Sequence, residues 1–147
     1  MAIQAMDRVP DKVGDYTDFA TTTGVAIAKK QLVKYGANAD TVTGVTTAND
    51  PSIIGTSEED VPADKAGPTK RIQVRLLSGS GVYVMINGGT VTAGKKIVCG
   101  GTDGRVVDVG VAAATDATAV LGFALNSSSI AGEYVPIKPR LPDKEIT

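Results

Sequence analysis

RIQVRLLSGSGVYVMINGGTVTAGKKIVCGGTDGRVVDVG, residues 71–110, is the stretch on which the fold of this chain turns. Ile72, Val74 and Leu76 alternate with Arg71, Gln73 and Arg75, the period of a strand with one buried face. SGSG (78–81) turns the chain into VYVMI (82–86), and NGG (87–89) turns it again. TVTAGKKIVCGG (90–101) reads as a short strand, an Ala-Gly turn and the strand KKIVC. TDGR (102–105) carries the Asp-Gly pair of a tight hairpin, where glycine accepts positive φ without steric cost, and VVDVG (106–110) returns.

Beyond this stretch toward the C-terminus, VAAATDATA (111–119) is too short and too punctuated to predict a helix. VLGFALN (120–126) reads as a further strand, with Gly122 at a bulge or close approach. SSSIAG (127–132) connects to EYVPIKPR (133–140), where Pro136 predicts an edge position because proline has no N–H to donate.

Toward the N-terminus the pattern is less clear. In GVAIAKKQLVKYG (24–36), Val25, Ala28, Leu32 and Tyr35 fit a helical stripe, whereas Val25, Ile27, Val33 and Tyr35 share one parity of a strand. The turn cluster ANAD (37–40) and the β-branched TVTGVT (41–46) favour two strands, KQLVKY and TVTGVT, joined by that turn. Residues 24–29 fit a short helical turn or an extended approach to the sheet. Residues 49–70, with Pro51, Pro62 and Pro68, predict one long polar loop in which Ile53-Ile54 is a candidate short strand. Its acids Glu58, Glu59 and Asp60 make it a contact surface or a solvated excursion. The first 24 residues are polar and lack apolar periodicity, which predicts an extended N-terminal arm at 1–24 before a single β domain at 25–147. Turn signals recur every 6 to 15 residues, the spacing of a mainly β chain folded as a small antiparallel β-barrel or sandwich.

Composition agrees and narrows the function. A chain of 147 residues is long enough for one domain that buries roughly 68% of its unfolded surface, so no covalent staple is needed. Gly 17 and Pro 7 supply the turns, Val and Thr dominate the remainder, and Trp is absent. The 15 Lys and Arg nearly balance the 16 Asp and Glu and form no stripe, so the sequence offers no footprint for nucleic acid. The first residues carry acids and a proline where a secretion signal needs an apolar run, and no stretch approaches the ~20 apolar residues of a membrane helix. The expectation is a soluble chain with no export signal, no membrane partner and no nucleic-acid partner.

Catalytic chemistry finds little to use. The chain has no histidine, which removes Ser-His-Asp, Cys-His and the commoner zinc arrangements together. Cys99 in KKIVCGG has Lys95 and Lys96 nearby, but a lone cysteine on an alternating strand reads first as a small apolar side chain on a sheet face. The Gly-x-Gly of SGSGVYV leads into a strand, not into the helix that a phosphate site requires. Glu58, Glu59, Asp60 and Asp64 sit on a proline-rich loop, fail the calcium-loop pattern and read as solvated. The aromatics Tyr16, Phe19, Tyr35, Tyr83, Phe123 and Tyr134 give no tryptophan platform for sugars and no evident hot-spot cluster. The expectation is a non-enzyme with no catalytic, cofactor or metal site.

In their shared order, these turns and strands resemble a known family. KQLVKYGANADTVTGVT, then the stretch 71–110, then VLGFALNSSSIAGEYVPIKPR are similar to the capsid decoration, or cement, proteins of tailed phages once catalogued as a domain of unknown function, DUF2190. The likeness covers roughly residues 30–47 and 71–140 and rests on the order of motifs that are individually weak. Gly88, Thr90, Val91, Ala93 and Gly94 match the family's turn before an inner strand, and Asp103, Gly104 and Arg105 match its hairpin. Gly122, Phe123 and Ala124 match the late strand, and Ala131, Gly132 and Glu133 match the turn before the last strand. Pro136, Pro139 and the acidic loop 56–70 depart from the simplest members. The resemblance implies a small β-barrel and a non-catalytic virion protein, made in the host cytoplasm. It also implies binding to the major capsid protein on the outer surface of the head, commonly as a homotrimer that stabilises the shell by bridging capsomers. A β-barrel adaptor or baseplate component of the same virion and a small carbohydrate-binding module are the alternatives.

Overall fold

The structure is a computed structural model and describes residues 16–38, 40–48, 50–77, 81–101, 103–110 and 119–139. The chain is mainly β, as the alternation predicts. Its first half closes a five-stranded barrel and its second half forms a five-stranded sheet against it.

The barrel contains β1 (Tyr16–Thr21), β2 (Leu32–Tyr35), β3 (Thr41–Gly44), β4 (Gly55–Ser57) and β5 (Arg71–Leu76), closed in the order β1-β3-β2-β4-β5. β2 and β3 form the antiparallel hairpin expected across ANAD, with Val33 opposite Gly44 and Tyr35 opposite Val42. β1 pairs antiparallel with β5 but parallel with β3, where Ala20 meets Thr41. A parallel neighbour needs a long crossover, and the chain supplies one by passing through β2 between them.

Two expectations are corrected here. The arm predicted at 1–24 does not extend to residue 24, because Tyr16–Thr21 is a barrel strand paired along its length with β5. Phe19 and Ala20 are buried, and the Thr21 hydroxyl donates to the Gly67 carbonyl and accepts the Gly67 N–H (3.1 and 2.8 Å). YTDFAT has one large inward residue and a partner about fifty positions away, so nothing local marks it as a strand. Residues 1–15 lie outside the described residues. The long loop is likewise interrupted: Gly55–Ser57 lies between β2 and β5, Val61 bridges Ile27, and Ala63–Lys65 makes one 3-10 turn. Its backbone is paired on both sides, which is why three small or polar residues form a fully buried strand.

The second sheet runs β6 (Tyr83–Ile86), β10 (Tyr134–Pro139), β9 (Gly122–Ala124), β7 (Lys96–Cys99), β8 (Val106–Asp108), all antiparallel. A parallel bridge between Asn87 and Val106 draws β6 and β8 together. The edge position predicted from Pro136 is overturned, since β10 lies between β6 and β9. Pro136 is tolerated there because β9 ends at Ala124. Its carbonyl accepts the Leu125 N–H (3.0 Å), and the bond it cannot return falls just past the strand.

Three adjacent apolar pairs join the two halves. Val33, Ile54 and Leu76 pack in the barrel core with Phe19, Val42, Ile72 and Val74. Leu32, Ile53 and Leu77 pack on the opposite side, in the core formed by Tyr83, Met85, Ile97, Val135 and Ile137. Successive strand residues point to opposite faces, so each pair places one side chain in each core. The Arg75 guanidinium stacks 3.8 Å from the Tyr83 ring centroid and donates to the Val82 carbonyl, and the Tyr83 hydroxyl donates to the Leu76 carbonyl. The Leu32 N–H donates to the Gly104 carbonyl (3.0 Å), tying the Asp-Gly turn to β2.

Gly104 has φ 67°, and a Cβ there would lie 2.9 Å from the Leu32 carbonyl oxygen. Gly94 has φ 85° with open space around it. The expected outcome is that Gly94→Ala costs about 1–2 kcal/mol, the left-handed backbone penalty alone. Gly104→Ala should cost distinctly more, with matched m-values in urea unfolding. Equal losses would show that the turn's approach to β2 carries no weight.

Candidate interaction surface

The residues with chemical potential are occupied in holding the fold. Cys99 faces the second core with no exposed surface, as its strand position predicts, and its thiol contacts the Gly101 carbonyl at 3.6 Å. Burial pushes its pKa up, so the nucleophilic thiolate is disfavoured. The acids Glu58, Glu59 and Asp60 are not simply solvated as expected, whereas Asp64 is exposed. Glu58 pairs with Lys30 at 2.8 Å, Glu59 accepts the Gln73 N–H at 3.0 Å, and Asp60 accepts the Lys29 N–H at 2.7 Å. Three successive acids thus fasten the segment to β5 and to the approach to β2. Among the described residues no three His, Cys, Asp or Glu side chains are grouped to hold a metal, and no helix is long and apolar enough to cross a membrane.

A buried amide organises the turns of the second sheet. Asn87 is fully buried, and its Nδ2 donates to the Ser128 carbonyl (3.1 Å), the Ser128 hydroxyl (2.9 Å) and the Ile130 carbonyl (3.1 Å). Its Oδ1 accepts the Gly89 N–H at 2.8 Å. The Ser128 hydroxyl donates in turn to Glu133 at 2.6 Å. The sequence reading took NGG as a hairpin turn and saw no role for Asn87, because its partners lie some forty residues away.

The outer face of the second sheet gathers Phe123, Leu125 and Tyr134, while Tyr35, Val82 and Ile130 are exposed elsewhere among the described residues. Alternation turns Tyr83, Met85, Val135, Ile137 and Ala124 inward and leaves Val84, Tyr134, Pro136, Lys138, Phe123 and Lys96 on the other side. Leu125, bonded to Pro136, continues this row. Tyr134, Phe123 and Leu125 are 54%, 43% and 41% exposed. Lys138 and Lys96 are the register partners of Phe123 on its two neighbouring strands, so both lysines share its face of the sheet. On the β7–β8 side this face is closed over by Ala119 and Val120 packing on Val98 and Val107. Phe123 belongs to the matched motifs, but its grouping with Lys96, Lys138 and Tyr134 needs the strand order β10-β9-β7, which the sequence does not supply.

A cleft of about 320 Å³ opens where the two halves meet, lined by residues including Val25, Gln31, Gly44, Ile86, Asp103 and Arg105. Arg105 Nε lies 3.4 Å from Asp103 Oδ2, so the matched hairpin presents an ion pair to this cleft. Gly88, Val91 and Gly94 sit in the connections around β7, where Gly88 donates to the Val106 carbonyl and Gly94 to the Ala124 carbonyl.

No protein-family model matches the chain, and no curated protein matches it, so membership of the DUF2190 family is not shown. Among solved structures, the chain is similar to the N base of the head fibre gp8.5 in bacteriophage phi29, with a TM-score of 0.62 and 19% sequence identity. The match covers 85% of this chain and 94% of that one, so the likeness is one of the whole fold.

Proposed function

We propose that this chain is a structural protein of a phage virion that binds the outer surface of the head and stabilises it by bridging capsomers. The observation that carries the reading is the whole-chain likeness to a head-fibre base from a phage. It is supported by the order of turn and strand motifs, which resembles that of capsid decoration proteins.

The described surface supports binding more than reaction. The fold commits Cys99 and the 58–60 acids to packing and bonding, and it gathers exposed Phe123, Leu125 and Tyr134 on one sheet face. Two of the three, Phe123 and Tyr134, are aromatic, a type enriched at interfaces. One copy then contributes a modest contact to the major capsid protein. Joining copies as a homotrimer makes later contacts local, and avidity exceeds single-site affinity by about 10²–10⁴. Small gains repeated over the shell oppose the outward pressure of packaged DNA.

Heads assembled without the chain should form normally but fail at lower temperature once filled. Added protein should restore them and sediment with them at hundreds of copies per head. A few copies at a single vertex would indicate an adaptor instead, and no binding to heads with binding on a glycan array would indicate the carbohydrate module. A folded, monomer-forcing variant that protects heads at the wild-type concentration would contradict trimer avidity.

A further inference from the structure

We infer that the outer face of the second sheet, centred on Phe123, is the docking surface, and that its occupant is an apolar patch rimmed by carboxylates on the shell protein of the head. The inference rests on the proposed head-binding role and names the site and the partner's chemistry.

Phe123 is 43% exposed, a large apolar ring on the solvent face of a sheet, where alternation usually places polar side chains. Its register partners Lys96 and Lys138 flank it, and neither forms an ion pair among the described residues. Strand alternation places no acid on this face among the described residues: Asp108 points inward and accepts from Thr92, and Glu133 accepts from Ser128. The face is therefore apolar with charge of one sign. A complementary partner must offer apolar surface for the ring and negative charge on both sides of it.

A second copy of the chain fits poorly. A two-fold contact of this face with itself would bring lysines against lysines. The acidic segment of another copy is also a poor partner, because Glu58, Glu59 and Asp60 are already bonded to Lys30, Gln73 and Lys29. Nucleic acid needs more aligned phosphate contacts than two lysines supply.

The test uses heads of the phage that encodes the chain, assembled without it, and sedimentation with the full-length protein. Phe123→Ala and the double variant Lys96→Glu/Lys138→Glu should each raise the half-saturating concentration at least about tenfold. Lys96→Gln/Lys138→Gln should weaken binding less and flatten its salt dependence. Tyr35→Ala, an exposed aromatic on the barrel, should bind as wild type. Tyr35 packs edge-on against Phe19 and Phe123 is partly buried, so the thermal midpoint of each variant is measured alongside binding, and only variants folded at the assay temperature are compared. Amidating the head carboxylates with a carbodiimide and glycinamide should abolish wild-type binding. Wild-type binding with unchanged binding by Phe123→Ala and by the charge reversal would overturn this inference alone. A change of oligomeric state on charge reversal would overturn it too, by making the face a self-interface. Failure of the wild type to bind heads would overturn it together with the proposed function.

Discussion

Leu32-Val33, Ile53-Ile54 and Leu76-Leu77 are three apolar doublets on neighbouring stretches of chain, and the rest of the molecule is arranged around them. A doublet breaks the alternation of a half-exposed strand and demands apolar surroundings on both sides. The barrel lumen satisfies one member of each pair and the second sheet satisfies the other. Full burial of a side chain of this size, as for Leu32 and Val33, contributes about 1.5–3 kcal/mol, and the partly buried Ile53, Ile54, Leu76 and Leu77 add smaller shares, so the wall is sizeable against the usual stability of a domain. The wall holds two cores in one body, and the Arg75–Tyr83 stack and the Leu32–Gly104 hydrogen bond fasten it from the polar side.

This wall also decides what is left for function. A sheet has two faces, and the doublets cover the inner face of the second sheet. The outer face is capped at one side by Ala119 and Val120, which leaves the β6-β10-β9 region with Tyr134, Leu125 and Phe123 in solvent. Pro136 at the centre of that region removes one N–H from the ladder without exposing an unpaired donor. Asn87 and Ser128 hold the turn beside Tyr134, so the row of exposed side chains rests on bonded backbone. The reading of the chain as a binding module thus follows from which face the core has already taken.

Much of the second sheet was legible because its strands are short, regular and closed by glycine turns. VYVMI, KKIVC and VVDVG are strands there near their expected bounds, as RIQVRLL is in the barrel. The first half was harder for a physical reason. β1 and β4 pair with strands distant in sequence, β4 has only small or polar side chains and β1 has a single large inward one, Phe19, so alternation does not mark them. Pro136 misled because the edge rule concerns a missing donor, and the donor's place fell beyond the end of β9. The acids at 58–60 looked solvated because their partners, two of them backbone N–H groups, are set by tertiary contact. For the candidate surface, the residue types were visible but the register that sets Phe123 between Lys96 and Lys138 was not.

The most direct measurement is a reconstruction, at a resolution that separates strands, of the mature virion to which the proposed function assigns the chain. The account predicts density for the barrel and sheet at many equivalent positions across capsomer boundaries on the outside of the head. The β6-β10-β9 face should lie against the shell and the barrel should point away. Density confined to the tail or one vertex, or a head-bound copy with Phe123 facing solvent, would contradict it.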